Sequence, residues 1–125
     1  MTQSEQVAAK RVLVVEDDLG TAEAIAAILG DEGYTVDLVA NGREALARIA
    51  QTRPDVILLD MMMPVMDGPE TSRALQADRR TRGIPVIVMT VSNQLIPRLE
   101  IPRAGVIVKP FVLEELLETV ANAIG

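Results

Sequence analysis

The residues best placed to do chemistry in this chain are Asp60, the pair Glu16-Asp17, Thr90 and Lys109, each standing at the end of a short apolar run. Val56-Ile57-Leu58-Leu59 leads unbroken into Asp60, and Arg11-Val12-Leu13-Val14-Val15 leads into Glu16-Asp17-Asp18. Pro85-Val86-Ile87-Val88-Met89 leads into Thr90, and Gly105-Val106-Ile107-Val108 into Lys109-Pro110. Such runs read as buried strands of a parallel sheet. In an open α/β sheet, ligands gather beyond the carboxyl ends of the strands, so these polar groups converge on one edge. Three carboxylates that close repel one another unless a cation sits between them, and oxygen-only donors suit Mg²⁺. An ionised Asp60 could then attack a phosphoryl group, since carboxylates are established nucleophiles. Transfer of that group asks mainly for positioning and positive charge. Lys109 would contact one phosphoryl oxygen as a compact cation, and the Thr90 hydroxyl would donate a hydrogen bond to another. Blander roles compete: an Asp at a strand end can cap a turn, and a carboxylate beside a helix start can simply complement its dipole. Asp18 suits that last role better than Asp17.

Helices must alternate with these strands to hold them parallel. Between Gly20 and Asp31, Ala22, Ile25, Ala26 and Leu29 recur at helical spacing, with Gly33 as the stop. Thr35-Val36-Asp37-Leu38-Val39 alternates polar with apolar, which predicts an edge strand with one wetter face. Asn41-Gly42 opens a second helix striped by Ala45, Leu46 and Ile49, running to Arg53 before Pro54 stops it. Asp67-Gly68-Pro69 opens a third, because Pro at the first helical position loses only an amide that would lack a partner anyway. The last helix carries Leu113, Leu116, Leu117, Val120, Ala121 and Ile124 on one stripe. From Val91 to Ala104, Pro97 and Pro102 allow at most a short or irregular fourth helix. Repeated βαβ units with right-handed crossovers point to a doubly wound parallel α/β sheet. Residues 1–10 read as a flexible polar leader and 11–125 as one domain; the run from Asp78 to Gly83 reads as a solvated basic loop.

Composition narrows the function. The net charge of −6 argues against a nonspecific nucleic-acid binder, and the aromatics are only Tyr34 and Phe111, which gives little support to base stacking. With no Cys and no His, thiolate catalysis, disulfides and imidazole-dependent mechanisms are excluded. No apolar segment approaches the roughly 20 residues that span a bilayer, and the N-terminus lacks the pattern of a signal peptide, so the default compartment is the cytosol.

Val14-Val15-Glu16-Asp17-Asp18, Leu59-Asp60 with Pro64 and Met66-Asp67-Gly68, Thr90, and Lys109-Pro110-Phe111 together resemble the response-regulator receiver domain, over nearly the whole chain. The resemblance implies a five-stranded flavodoxin-like fold with strand order 2-1-3-4-5. It also implies that Asp60 is the phosphoacceptor, taking its phosphoryl group from a phosphohistidine on a sensor kinase or phosphotransfer protein. By position Glu16 and Asp17 match the family's acidic pair. Asp17, Asp60 and the Met62 carbonyl then match the protein's share of the Mg²⁺ ligands, Thr90 and Lys109 match the groups that engage the phosphoryl, and the Lys109-Pro110 bond is expected to be cis.

Two departures bear on the output. Val106 stands where receivers usually carry a Tyr or Phe that swings inward, and the interval from Thr90 to Lys109 is shorter than is usual in the family. Val91, where a small residue is common, is expected to crowd the approach to Asp60. The switch and output positions are therefore Val91, Ser92, Val106 and Pro110, on a surface formed by the fourth helix, fifth strand and last helix. The leading reading is a receiver in a two-component system or phosphorelay that promotes its own modification without being a turnover enzyme. It would act through a downstream protein partner or an effector domain outside this sequence, without direct nucleic-acid or membrane binding, and its oligomeric state is open. The alternatives are an atypical receiver that binds partners with little phosphorylation, and an aspartyl-phosphate phosphatase, for which no second acid or base is at hand.

Overall fold

The computed structural model describes residues 9–63, 65–91 and 103–124. Among them five strands and four helices follow in the order β1 (Arg11–Val15), α1 (Leu19–Asp31), β2 (Thr35–Val39), α2 (Gly42–Gln51), β3 (Val56–Asp60), α3 (Gly68–Ala77), β4 (Val86–Thr90), β5 (Gly105–Val108) and α4 (Leu113–Ile124). The strands form one parallel sheet in the order β2-β1-β3-β4-β5, as expected. The leader, the interrupted fourth helix and Ser92 fall wholly or mostly outside the described residues.

Strand alternation splits the core into two layers. Leu13, Val15, Ile57, Leu59, Val86 and Val88 pack with Ala45 and Ile49 of α2 and Leu75 of α3. Val12, Val14, Val56, Leu58, Ile87, Met89 and Ile107 pack on the other face with Ile25 and Leu29 of α1 and Leu116 and Val120 of α4. β3 and β4 are buried along their whole length, as central strands covered on both faces must be. β2 is the wetter edge that its alternation predicts. β5 differs from the buried strand expected: it forms the other edge, and only Ile107 is fully covered while Val106 is half-buried. A four-residue apolar run looks the same whether one neighbour flanks it or two.

The starts of α1, α2 and α3 are each fixed by a side-chain cap. Asp18 accepts from the Thr21 amide at 2.9 Å, and Asn41 from the Glu44 amide at 2.9 Å. Glu44 in return accepts from the Ala40 amide at 3.1 Å. Asp67 accepts from the Glu70 amide at 3.0 Å, with Pro69 as the second helical residue rather than the first. These side chains satisfy amides that the first helical turn leaves without partners. No helix among the described residues is long and apolar enough to cross a membrane.

Candidate functional site

Register brings the strand ends level. Val15 pairs with Leu59 and Asp60 with Met89, so Glu16, one residue past Val15, stands beside Asp60. The Glu16 amide donates to the Val39 carbonyl at 3.1 Å and extends the strand by that residue. Thr90 pairs with Val108, and the Lys109 amide donates to the Thr90 carbonyl at 2.7 Å, which places Lys109 just beyond the same edge. Thr90 itself is buried at the end of β4.

Glu16, Asp17 and Asp60 each offer a carboxylate oxygen within 4.8 Å of the others. Glu16 and Asp60 are buried, whereas Asp17 is exposed and leaves the cluster open to water on one side. Lys109 Nζ lies 2.5 Å from Glu16 Oε1 and 3.5 Å from Asp60 Oδ1. The Asp18 amide donates to Glu16 Oε2 at 3.2 Å, and the Met62 amide to Asp60 Oδ1 at 3.3 Å. Burial alone would lower the Lys109 pKa. The hydrogen bond to Glu16 and the charges of Asp60 and Glu16 outweigh it and hold the ammonium above its ordinary value of 10.5. Lys109 is thus a fixed positive charge at neutral pH. Even so, three carboxylates against one ammonium leave an excess of negative charge, and burying such charge is costly without a counter-ion.

The donor set fits a hard divalent cation. It consists of oxygens alone, two held by packing and one at the water-facing side, an arrangement that lets a small ion such as Mg²⁺ keep several waters. Asp18 takes no part in that group. Its carboxylate is occupied by the Thr21 hydroxyl and amide, which hold its pKa below the usual 3.8.

The Lys109-Pro110 peptide is cis. Beside Lys109 a cavity of about 410 Å³ is lined by Thr21, Ala24, Val91, Lys109, Pro110 and Phe111. Val91 is exposed at its mouth. Sequence reasoning singled out every residue of the carboxylate cluster, but it missed the contacts that hold the loop after Asp60. A Cβ on Gly68 would fall 2.7 Å from Met61 Cα and 2.8 Å from the Asp60 carbonyl oxygen, so α3 can begin there only as glycine. The Met66-Asp67-Gly68 motif signals a helix start and carries no sign of that approach.

A family model described as the response regulator receiver domain matches residues 12–121. Among curated relatives, the response regulator MprA of Mycolicibacterium vanbaalenii is 42% identical over 110 residues, covering 86% of this chain and 47% of that protein. The DNA-binding response regulator MtrA of Mycobacterium tuberculosis is 35% identical over 114 residues, covering 89% of this chain and 49% of the relative. This chain spans about half the length of these relatives. The description of MtrA as DNA-binding stands against the expectation of no direct nucleic-acid binding. Among solved structures, the chemotaxis response regulator CheY4 of Vibrio cholerae superposes with a TM-score of 0.86 at 34% identity, covering 93% of this chain and 99% of that one. The receiver domain of a sensor histidine kinase from Pseudomonas aeruginosa, solved with a magnesium ion coordinated in its active-site cleft, gives 0.87 at 33% identity, covering 94% and 99%.

Proposed function

The chain belongs to the response regulator receiver domain family, and from that premise we propose that Asp60 takes a phosphoryl group from a phosphohistidine and that the modified surface signals to a protein partner. The observation that carries the proposal is the cluster itself: a buried carboxylate at a central strand end, two more carboxylates within 4.8 Å, and a lysine held charged between them. An oxygen of Asp60 attacks phosphorus, the phosphorus–nitrogen bond of the donor breaks, and its imidazole leaves with the electron pair. Lys109 draws one phosphoryl oxygen and the Thr90 hydroxyl donates to another, while the buried walls limit competing water. Glu16, Asp17, Asp60 and the Met62 carbonyl would hold Mg²⁺, which when bound supplies positive charge beside the transferring oxygens.

The donor is proposed to be a protein. Among the described residues the exposed large hydrophobics are Leu19, Met62, Val65, Val91, Val112 and Leu113, and each lies just past the carboxyl end of a strand. An apolar rim around a charged centre is the mark of a surface that another protein covers. On arrival the phosphoryl adds about −1.5 to −2 of charge next to Lys109. With Val106 half-buried and bearing no ring, the switch is proposed to work through the backbone around Thr90 and Val91.

Intact mass after incubation with acetyl phosphate and Mg²⁺ tests this reading. One phosphoryl group should be gained, and both Asp60→Asn and removal of the metal should abolish the gain. A wild-type chain that gains nothing even from a phosphohistidine donor would overturn the proposal in favour of a non-phosphorylated binding module. Continuous release of inorganic phosphate from small esters would point to a phosphatase.

A further inference from the structure

The loop that leaves Asp60 contains a backbone conformation its sequence does not favour. Met66 has φ of 53°, in the left-handed region that residues other than glycine adopt rarely and keep only where their surroundings over-determine it. Here the surroundings act on the Met66 carbonyl. The Gly42 amide, at the start of α2, donates to it at 3.2 Å. Thr71 Oγ1, in α3, lies 3.2 Å from the same oxygen and 2.8 Å from the Asp67 carbonyl, so one hydroxyl proton is shared between the loop and the helix cap. Thr71 is fully buried, and a Cβ on Gly42 would fall 1.8 Å from its Oγ1 and 2.6 Å from the Met66 carbonyl oxygen. Two helix starts and a loop therefore meet at one carbonyl, at a separation that only glycine permits. The same loop carries Met62, whose amide donates to Asp60 Oδ1, and it closes where the Gly68 amide reaches the Met61 carbonyl at 3.4 Å.

We propose that Thr71 is a positioning residue for this site: together with Gly42 it fixes the left-handed Met66 turn, and the turn sets where the Met61–Met63 end of the loop lies against Asp60. The inference rests on Asp60 being the phosphoacceptor, because the turn matters to chemistry only through the loop that orients that carboxylate. Small displacements of a reacting group lower rates out of proportion to their size. The neighbouring Ser72 supplies a built-in contrast. Its hydroxyl is buried in the same helical turn and has no hydrogen-bond partner among the described residues, so deleting it removes a hydroxyl without touching the loop.

The experiment compares Thr71→Val, which keeps the shape and loses the donor, with Thr71→Ser and Ser72→Ala. Each is followed by the rate of phosphoryl gain from acetyl phosphate across a Mg²⁺ titration, and by amide exchange and amide chemical shifts in metal-free protein. Thr71→Val is expected to slow the gain and raise the Mg²⁺ needed for half-maximal rate by between about twofold and about tenfold, the weight of one neutral hydrogen bond. Its Gly42 amide should exchange faster, and its Met62 amide resonance should move. Thr71→Ser should restore all of these, and Ser72→Ala should leave them unchanged. A folded Thr71→Val with wild-type rates and an unmoved Met62 resonance overturns the inference, as does an equal loss in all three variants. Should Thr71→Val not fold, Thr71→Ala against Thr71→Ser makes the same comparison. If the wild type gains no phosphoryl group, the phosphoacceptor reading is what fails, and the metal-free shifts alone decide whether Thr71 sets the loop.

Discussion

Away from the carboxyl edge Asp37, Asp55 and Asp78 each meet a donor, whereas at the carboxyl ends three carboxylates gather where Lys109 pairs with two of them. Asp37 on β2 is bridged by Arg11 at 3.0 Å and Arg48 at 3.2 Å. Asp55, just ahead of β3, accepts from the Arg11 amide at 2.7 Å, and Asp78 after α3 pairs with Arg80 at 3.1 Å. Across the sheet, Glu16 and Asp60 are buried with charge to spare, and the exposed large hydrophobics crowd the same edge. Neutralised, polar ends stabilise a fold and offer nothing to a ligand. An edge with unbalanced buried charge and an apolar rim gives up stability in order to bind, which is the usual exchange at a functional site. The two ends of one sheet thus separate what holds the chain together from what it does.

The sharpest way to break that contrast is to remove the shared cation. Lys109→Met leaves Glu16 and Asp60 buried without their counter-charge, and breaking a buried pair in this way costs about 3–5 kcal/mol. Urea denaturation in metal-free buffer should show a loss at the lower end of that range or above. Added Mg²⁺ should restore more stability to the variant than it gives the wild type, because the variant offers the ion a more negative site. A variant as stable as the wild type without metal would show that the carboxylates are not held under strain.

One substitution at the two ends should then have opposite signs. Gly68→Ala drives a Cβ into the backbone of Met61 and Asp60, which cannot move aside, so it should cost about 1–3 kcal/mol and slow phosphoryl gain. Gly30→Ala lies near the far end of α1, where a Cβ meets nothing within 4 Å, and alanine there should stabilise by roughly 0.5 kcal/mol through better helix propensity. Thermal unfolding of both variants checks the signs, and equal losses would erase the distinction between the ends.

Much of the carboxyl edge was legible in the sequence because its logic is local: an apolar run of strand length followed by a charged or hydroxyl residue marks a strand end, and parallel strands share an edge. Asp18 was legible as a carboxylate complementing a helix dipole for the same reason, standing directly before a helical stripe, but its cap on the Thr21 amide was not. What could not be read depends on contacts between residues far apart in the chain. Gly42 opens α2 and Thr71 lies in α3, with the whole of β3 between them, and nothing local announces that one makes room for the other. The left-handed Met66 has a side chain that argues against such a turn. Nor could Arg11 be assigned to Asp37, 26 residues away, before the register of β1 on β2 was known.

The smallest effect tests whether the amino edge is inert toward the site. Arg80 Nη2 reaches Asp78 Oδ2 at 3.1 Å, but its side chain is 88% exposed, and an ion pair so open to water contributes little stability. It does act on the Asp78 proton. The Arg80 side chain first, and its amide at 2.8 Å second, hold the Asp78 pKa below 3.8. A depressed carboxyl contributes stability above its unfolded value and loses it as pH falls through the folded midpoint, so any contribution here disappears only below pH 3.8. Arg80→Ala removes the guanidinium and keeps the amide, so carboxyl resonances should show the Asp78 midpoint rising only part of the way. Unfolding at neutral pH and phosphoryl gain at Asp60 should not change. A shift in the Mg²⁺ dependence of that gain would mean that charge at the closed end is felt across the sheet, and the separation between the two edges would have to be given up.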